Sequence, residues 1–490
     1  MQDRPPSRTR APGETARKSS ADETPSQPPS YALAFIVGAA FFMEGLDTTI
    51  VATSLPQIAN SIDRSATELG VLMTSYLLSL SVFLPASGWM TDRYDARHIF
   101  LCSIAIFTLG SLICAISGSL EVMTAGRCMQ GAGGAMMTPV GRLLLARSFP
   151  RDELVRAMSY MVIPGLMGPM LGPVVGGFIT THFSWRWIFL INLPIGALVF
   201  ALGYSLIEKF KALHAQRFDF KGFILAGIML AALQTALEVT ANEQELTYVA
   251  AAAFGIFIIA ALTLFHHLSR TVAPIFDLKV FRHRSFSAAV FGGAFSRLAL
   301  GAILFLFPLL FQLGFGASPF EAGLLLGVLA LGQMATRLII DRLINYAGVK
   351  RTLVVNSVIL ILMLLGVLLL SPATPIYLIA TYLFVLGLFH SVQLSTLAAL
   401  NFSGLDSTEL GSATSISSVA QRISMAIGIS IAALVLGLAS PGAEPDASAF
   451  VLPFVTIALL VSGSVAIFAT LKPEDGGDLI SKKPHRASQP

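Results

Sequence analysis

The sequence predicts an all-α membrane protein: two six-helix bundles with two extra helices between them, fourteen spans in all. Three observations carry this expectation. Of the 490 residues, 54% are hydrophobic and only 12% charged, against about 25% charged in an ordinary soluble protein. The apolar runs are longer than the roughly 18 residues that mark a bilayer-crossing helix, and they lack the alternation of barrel strands. Basic residues recur in every second connecting loop, the pattern that orients membrane helices.

Residues 1–30 are rich in Pro, Ser, Arg and acids and carry no apolar stretch, so they read as a disordered cytoplasmic tail rather than a signal peptide. Spans are expected at 32–54, 68–90, 98–118, 121–147, 156–180, 186–208, 219–240, 247–268, 285–314, 320–343, 351–371, 374–399, 409–439 and 449–472. The 219–240 segment is the weakest of them, because it carries Gln234 and Glu238. Arg93 and Arg97, then Arg147, Arg151 and Arg156, then the basic runs at 209–221, 270–284 and 342–351 alternate with loops whose charges are mostly acidic, such as Asp63, Glu121, Glu243 and Glu444. Both termini are therefore expected in the cytoplasm, which requires an even number of spans.

The basic linkers divide the chain into a tail (1–30), an amino-terminal bundle (31–208), a linker with two additional helices (209–284), a carboxy-terminal bundle (285–472) and a second tail (473–490). The halves echo each other weakly. GWMTDRYDARH (88–98) and IIDRLINYAGVKR (339–351) place mixed charge and a turn after the second span of each bundle.

The chemistry is expected to centre on FFMEGLDTTIVATSLPQI (41–58). Glu44 and Asp47 lie three residues apart, on one face of a helix. Asp47 falls roughly 18–24 Å along it, where an ionisable group costs about 2.5–3.5 kcal/mol or more and is usually functional. The segment AGRCMQGAGGAMMTP (125–139) offers Arg127 and, one turn on, Gln130. Arg127 either snorkels to the interface or pairs with Asp47. Glu44 is either a second partner of Arg127 or a group lining a cavity.

In GLMGPMLGPVVGGFI (165–179), Gly168, Gly172 and Gly176 form a stripe with Gly165 and Gly177 beside it. Pro169 and Pro173 each remove a helix hydrogen bond. This composition suits a smooth, kinked surface on which two bundles rock. Asp92, Arg93 and Arg97 occupy a short cytoplasmic turn, either a solvated loop or a latch that docks Asp92 on the helix start near Ser407–Ser412. Deep polar residues of the second half are Arg297, Gln312, Gln333, Arg337, His390, Gln393 and Arg422. With Glu44 and Gln130 they suggest a wet central cavity, although lone polar residues in membrane helices often only bond neighbouring helices. Cys102, Cys114 and Cys128 fall in apolar segments and read as buried packing thiols, without a disulfide or a metal.

Together these motifs resemble the fourteen-helix drug:proton antiporter group of the major facilitator superfamily. LDTTIVATSLP, GWMTDRYDAR, AGRCMQGAGGA and GLMGPMLGPVVGG are similar to its signatures in the first span, the loop after the second, the fourth and the fifth. SWRWIFLINLPIG (184–196) and FDFKG (218–222) look like the starts of its sixth span and first extra helix. Asp95 stands where the loop signature has glycine, and Asn345 where its second copy often has an acid. The resemblance covers about 31–472. It implies alternating access driven by proton influx, with Asp47 the proton carrier and Arg127 its partner. A bacterial inner membrane, efflux of several drugs and no enzymatic activity follow from the same likeness.

Substrate charge divides this reading. Lipophilic cations would use Glu44 and Asp47, whereas organic anions or metal chelates would suit Arg297, Arg337 and Arg422. A membrane enzyme would need clustered catalytic residues at depth, but only His390 of the histidines lies clearly deep. A non-transporting sensor is the remaining alternative. The expected partners are a small-molecule substrate, protons and the lipid bilayer, with no nucleic acid and no cofactor, and the chain is expected to act as a monomer.

Overall fold

The computed structural model describes residues 31–209, 218–242, 247–271, 274–406, 409–441, 443–472 and 474–476. The expected tail at 1–30 and most of that at 473–490 lie outside the described residues, as do Ser407 and Thr408.

The chain opens with α1 (Ala32–Ile50), extended by a tighter turn, Val51–Ser54, into α2 (Leu55–Ser61). Pro56 falls in the first turn of α2, where its missing N–H costs nothing. Next come α3 (Gly70–Phe83) and α4 (Ala86–Arg93), bent by 49° at Pro85. The first group of helices ends with α5 (Ala96–Ile116), α6 (Leu120–Ser148), α7 (Arg151–His182), α8 (Trp187–Leu190) and α9 (Asn192–Leu206). Two further helices follow, α10 (Phe220–Asn242) and α11 (Thr247–Arg270). The second group is α12 (Arg284–Leu309), α13 (Pro319–Ala335), α14 (Ile340–Ala347), α15 (Val349–Gly366), α16 (Ile376–Leu400), α17 (Leu410–Ala439) and α18 (Val451–Ala469).

Twelve helices among the described residues are long and apolar enough to cross a bilayer, or thirteen if α3 and α4 form one bent span. The expected fourteenth, 121–147, is α6. It is a single helix of 29 residues, but its composition is polar because Arg127, Gln130 and its five glycines are buried in protein.

In the first group α1 lies along α7, and α6 packs between α3 and α5. In the second, α12 packs on α17 and α18, and α13 on α16. The groups meet where α7 touches α13 and where α3 touches α17, and α10 lies against both α3 and α17. We call the end of the molecule near Tyr31 proximal and the other end distal.

The two echoed turns solve the same problem differently. Gly348 precedes α15 with φ +76°, a backbone that glycine adopts freely. Asp95 instead keeps φ −59° and caps α5, its carboxylate accepting from the Arg97 N–H at 2.9 Å. The FDFKG segment has a clear local role. Asp219 accepts from the backbone N–H of Gly222 (2.8 Å) and of Ile275 (3.2 Å), and pairs with His267 of α11 at 2.7 Å. Burial pushes the Asp219 carboxyl up, but these bonds outweigh it and hold the group below the usual carboxylate range. The cysteines depart from expectation. Cys114 is buried, whereas Cys102 and Cys128 are exposed on the helix surface.

Candidate functional site

Asp47 is fully buried at the centre of the first group. Its Oδ2 accepts from Arg127 Nη1 at 2.5 Å. Its Oδ1 accepts from Gln130 Nε2 at 2.9 Å and from Asn192 Nδ2 at 3.1 Å. Both amide donors also reach Ser111 Oγ, Gln130 at 2.7 Å and Asn192 at 3.2 Å. The guanidinium is equally occupied. Nη1 also donates to Gln130 Oε1 (2.8 Å), Nε donates to the Leu72 carbonyl (2.9 Å), and Cζ sits 4.2 Å from the centre of the Tyr76 ring. One acid and one base, drawn from α1 and α6, are thus enclosed by polar groups from α5 and α9. Each charge has its counter-charge and its hydrogen bonds, the condition under which a buried pair is tolerated.

Glu44 lies one turn away and faces elsewhere. Its Oε2 accepts from Thr138 Oγ1 at 2.6 Å, and its Oε1 lies 3.4 Å from Arg422 Nη2 of α17. Glu44 therefore pairs across the two groups of helices rather than with Arg127. Thr48, on the same stripe, donates to the Glu44 carbonyl at 2.8 Å and is 3.5 Å from the Tyr76 hydroxyl.

The second group has a polar cluster without an acid among its described buried side chains. Gln393 Nε2 donates to Ser296 Oγ (3.2 Å) and Ser357 Oγ (3.0 Å), while its Oε1 accepts from Asn356 Nδ2 at 2.8 Å. Arg297, next to Ser296, is 2% exposed. Its Nη1 makes a long bond of 3.4 Å to the Ala289 carbonyl, and its Nε has no partner among the described residues. His390 is also buried, with neither ring nitrogen bonded to a described residue.

The remaining expected site residues scatter. Gln312 lies in a π-helical turn, Leu310–Gly314, and belongs to a distal contact: it accepts from Gln57 Nε2 and donates to the Thr53 carbonyl, both at 3.0 Å. Gln333 is half-buried on α13 without a side-chain bond among the described residues. Asp92 makes no side-chain bond to α17 among the described residues, and Ser407, where the expected docking point begins, lies outside them. Arg93 lies 6.0 Å from the ring centres of Trp89 and of Tyr94. Arg97 donates to the Tyr204 carbonyl of α9.

The glycine–proline segment of α7 serves two surfaces. Gly168, Gly172 and Gly176 face α1 within the same group. A Cβ at Gly168 would come within 2.6 Å of the Phe42 carbonyl, and at Gly172 it would strike Thr49 Oγ1. Gly165 meets the Phe41 ring in the same seam. Pro173 has no N–H to give the Pro169 carbonyl four residues back. Thr49 Oγ1 of α1 supplies that bond at 3.3 Å. Gly177 turns the other way, against the Pro319 carbonyl of α13, while Gly323 of α13 lies against the Pro173 carbonyl. The Phe320 N–H completes this distal contact by donating to Thr181 Oγ1 at 3.1 Å. The segment is thus a close-packed intragroup seam with one edge at the contact between the two groups.

Sequence reasoning missed Ser111, Tyr76, Thr138 and the enclosing role of Asn192. Asn192 stood in a recognised motif. The others carry no signal of their own, since isolated hydroxyls occur on every face of these helices.

A sequence profile described as the Major Facilitator Superfamily matches residues 37–429 and 289–487. A Pectobacterium carotovorum protein named as a candidate multidrug resistance protein, MdtD, is 36% identical over 442 residues, covering 89% of this chain and 94% of that one. Its Escherichia coli K12 namesake is 34% identical over 460 residues, covering 93% and 98%. Among solved structures, a bacterial homologue of the lysosomal transporter Spinster, inward-facing and unoccupied, superposes with TM-score 0.66 at 12% identity, covering 92% of this chain and 98% of that one. A D-xylose–proton symporter gives TM-score 0.64 at 13% identity, covering 91% and 99%. The helical packing, the buried Asp47–Arg127 pair and these matches agree: the chain is a membrane transporter of the major facilitator superfamily.

Proposed function

We propose that the protein is a proton-coupled exporter of small molecules working by alternating access as a monomer, with Asp47 the proton carrier and Arg127 its partner. The enclosed Asp47–Arg127 cluster carries this reading. Protonation of Asp47 neutralises the acid, removes the counter-charge of Arg127 and leaves only the remaining acceptor capacity of the carboxyl for Gln130 and Asn192. The helices that supply them, α1, α6 and α9, are then free to shift. An inward gradient supplies roughly 2.3 kcal/mol per 100 mV for each charge moved.

The distribution of basic residues supports a bacterial inner membrane location with both termini cytoplasmic, which makes the distal end periplasmic. On this reading α6 is a span, giving fourteen, and the units are 31–208, 209–284 and 285–472. The Gln57–Gln312 and Thr181–Phe320 contacts close the periplasmic side, and the Asp92 turn latches the cytoplasmic side in the opposite state. The names of the relatives support a multidrug substrate range. The test is Asp47→Asn in proteoliposomes: pH-driven efflux is expected to vanish at normal expression. Undiminished proton-coupled flux would remove Asp47 from this role.

A second reading, export of organic anions or their metal chelates, is favoured by one observation, the uncompensated Arg297. Arg297→Met is then expected to cut organic-acid flux at least tenfold and leave cationic-dye flux in place, with Glu44→Gln doing the reverse. Equal fluxes in both variants would refute the electrostatic division.

A further inference from the structure

We infer that Gln234, on the first of the two extra helices, is a positioning residue for alternating access: it ties α3 to α17 and biases the transporter toward its distally closed state. Gln234 Nε2 donates to Thr74 Oγ1 of α3 at 2.6 Å, and its Oε1 accepts from Ser430 Oγ of α17 at 3.4 Å. Thr74 and Ser430 are buried, and they stand on opposite sides of the line where the two helix groups meet. A single side chain from a third element thus bonds both.

The rest of α10 lies against both α3 and α17. Phe223 packs on Phe83 with ring centres 5.8 Å apart, and the ring of Phe218, just before α10, lies 4.9 Å from that of Trp89. Gly227 lies beside Val82. These contacts run the length of α3 and α4, antiparallel to them. The opposite attachment is at the proximal end. There Phe276, in the connector after α11, packs against both the Ala226–Leu264–Leu268 cluster and the Val280–Phe286–Ala413 cluster of α12 and α17.

The hairpin therefore lies along both groups, α10 touching α3 and α17, and adds a proximal foot on the second. If the distal ends part, the proximal foot can act as the pivot. The Gln234–Ser430 bond, longer than the Gln234–Thr74 bond and lying toward the distal side, is the one that breaks. In Ser430 that bond is the only one described for the hydroxyl, whereas Thr74 also donates to the carbonyls of Gly70 and Val71. Loss of the bond leaves Ser430 unsatisfied in an apolar setting, so the closed arrangement is favoured.

The inference goes beyond the transport reading and is tested without substrate or gradient. The full chain, with Cys102 and Cys128 replaced by alanine, is reconstituted in lipid nanodiscs. Spin labels are placed at Arg64→Cys and Glu444→Cys, both exposed in distal loops. Electron–electron distance distributions are compared for the parent and for Gln234→Ala, Ser430→Ala and Thr74→Ala. Each variant is expected to raise the long-distance population about two- to tenfold, the range one net hydrogen bond allows. The double variant Gln234→Ala/Ser430→Ala is expected to do no more than Gln234→Ala alone, because both remove one link. Ser430→Ala deletes a single oxygen and serves even if Gln234→Ala fails to fold. Unchanged populations would overturn the inference, and so would additive effects in the double variant, which would mark two separate packing defects.

Discussion

The two polar clusters occupy matching places in the two groups of helices but differ in charge. Gln130 of α6 donates to Asp47 of α1 and Ser111 of α5. Gln393 of α16 donates to Ser296 of α12 and Ser357 of α15. Three residues before each glutamine stands a basic residue, Arg127 in one group and His390 in the other. The acid, however, is not repeated: Ser296 occupies the position corresponding to Asp47. The first cluster is therefore electrostatically closed, and the second holds a buried guanidinium and an imidazole without counter-charges among the described residues. On the proposed reading the first cluster is the one that takes up and releases a proton. The second keeps its basic groups buried with no acid beside them among the described residues.

The comparison is broken most severely by removing one partner of the closed pair. Arg127→Ala leaves Asp47 ionised and unpaired in the protein interior, at an expected cost of about 3–5 kcal/mol. A fall in melting temperature in detergent checks this, and the double variant Arg127→Ala/Asp47→Ala should recover most of the loss. If Arg127→Ala melted like the parent, the cluster would not be the closed unit described. The opposite sign is expected in the second group. Arg297→Met removes an uncompensated charge and keeps the aliphatic volume, so it should stabilise the protein by about 1–4 kcal/mol. A destabilisation would show that Arg297 has a counter-charge, and the contrast between the halves would fall.

Much of this arrangement was legible in the sequence, for identifiable reasons. Asp47 lies at a depth where an unpaired charge is costly, so pairing with Arg127 was one of the two readings left open, the other being that Arg127 snorkels to the interface. The helical spans followed from apolar length. The bend at Pro85 was absorbed into one expected span at 68–90, because composition does not register direction. What the sequence did not disclose was neighbours. Helical periodicity gives a face but not the element that face meets. Gln312 was therefore grouped with the cavity, although it joins the distal contact with Gln57. Glu44 was equally open, and only its side-chain contact with Arg422 of α17 selects Arg422 over Arg127. Gln234, which weakened the prediction of α10, proved to be the residue that bonds Thr74 and Ser430.

The mildest test concerns His390, the counterpart of Arg127 by position. Arg127 Nε and Nη1 have partners, whereas both ring nitrogens of His390 lack one among the described residues. A buried polar atom without a partner carries its desolvation cost with no bond to offset it, so replacing it by an apolar group forfeits nothing. His390→Leu also keeps the volume near that of the ring, which limits the cavity term. The expected change is within about 1 kcal/mol, toward higher stability. Proton-driven flux should remain, because the proposed proton carrier, Asp47, is in the other group of helices. Thermal melting and proteoliposome flux, measured together, decide the point. A loss of more than about 2 kcal/mol would mean that His390 is held by a partner as Arg127 is, and the second cluster would then be closed rather than open.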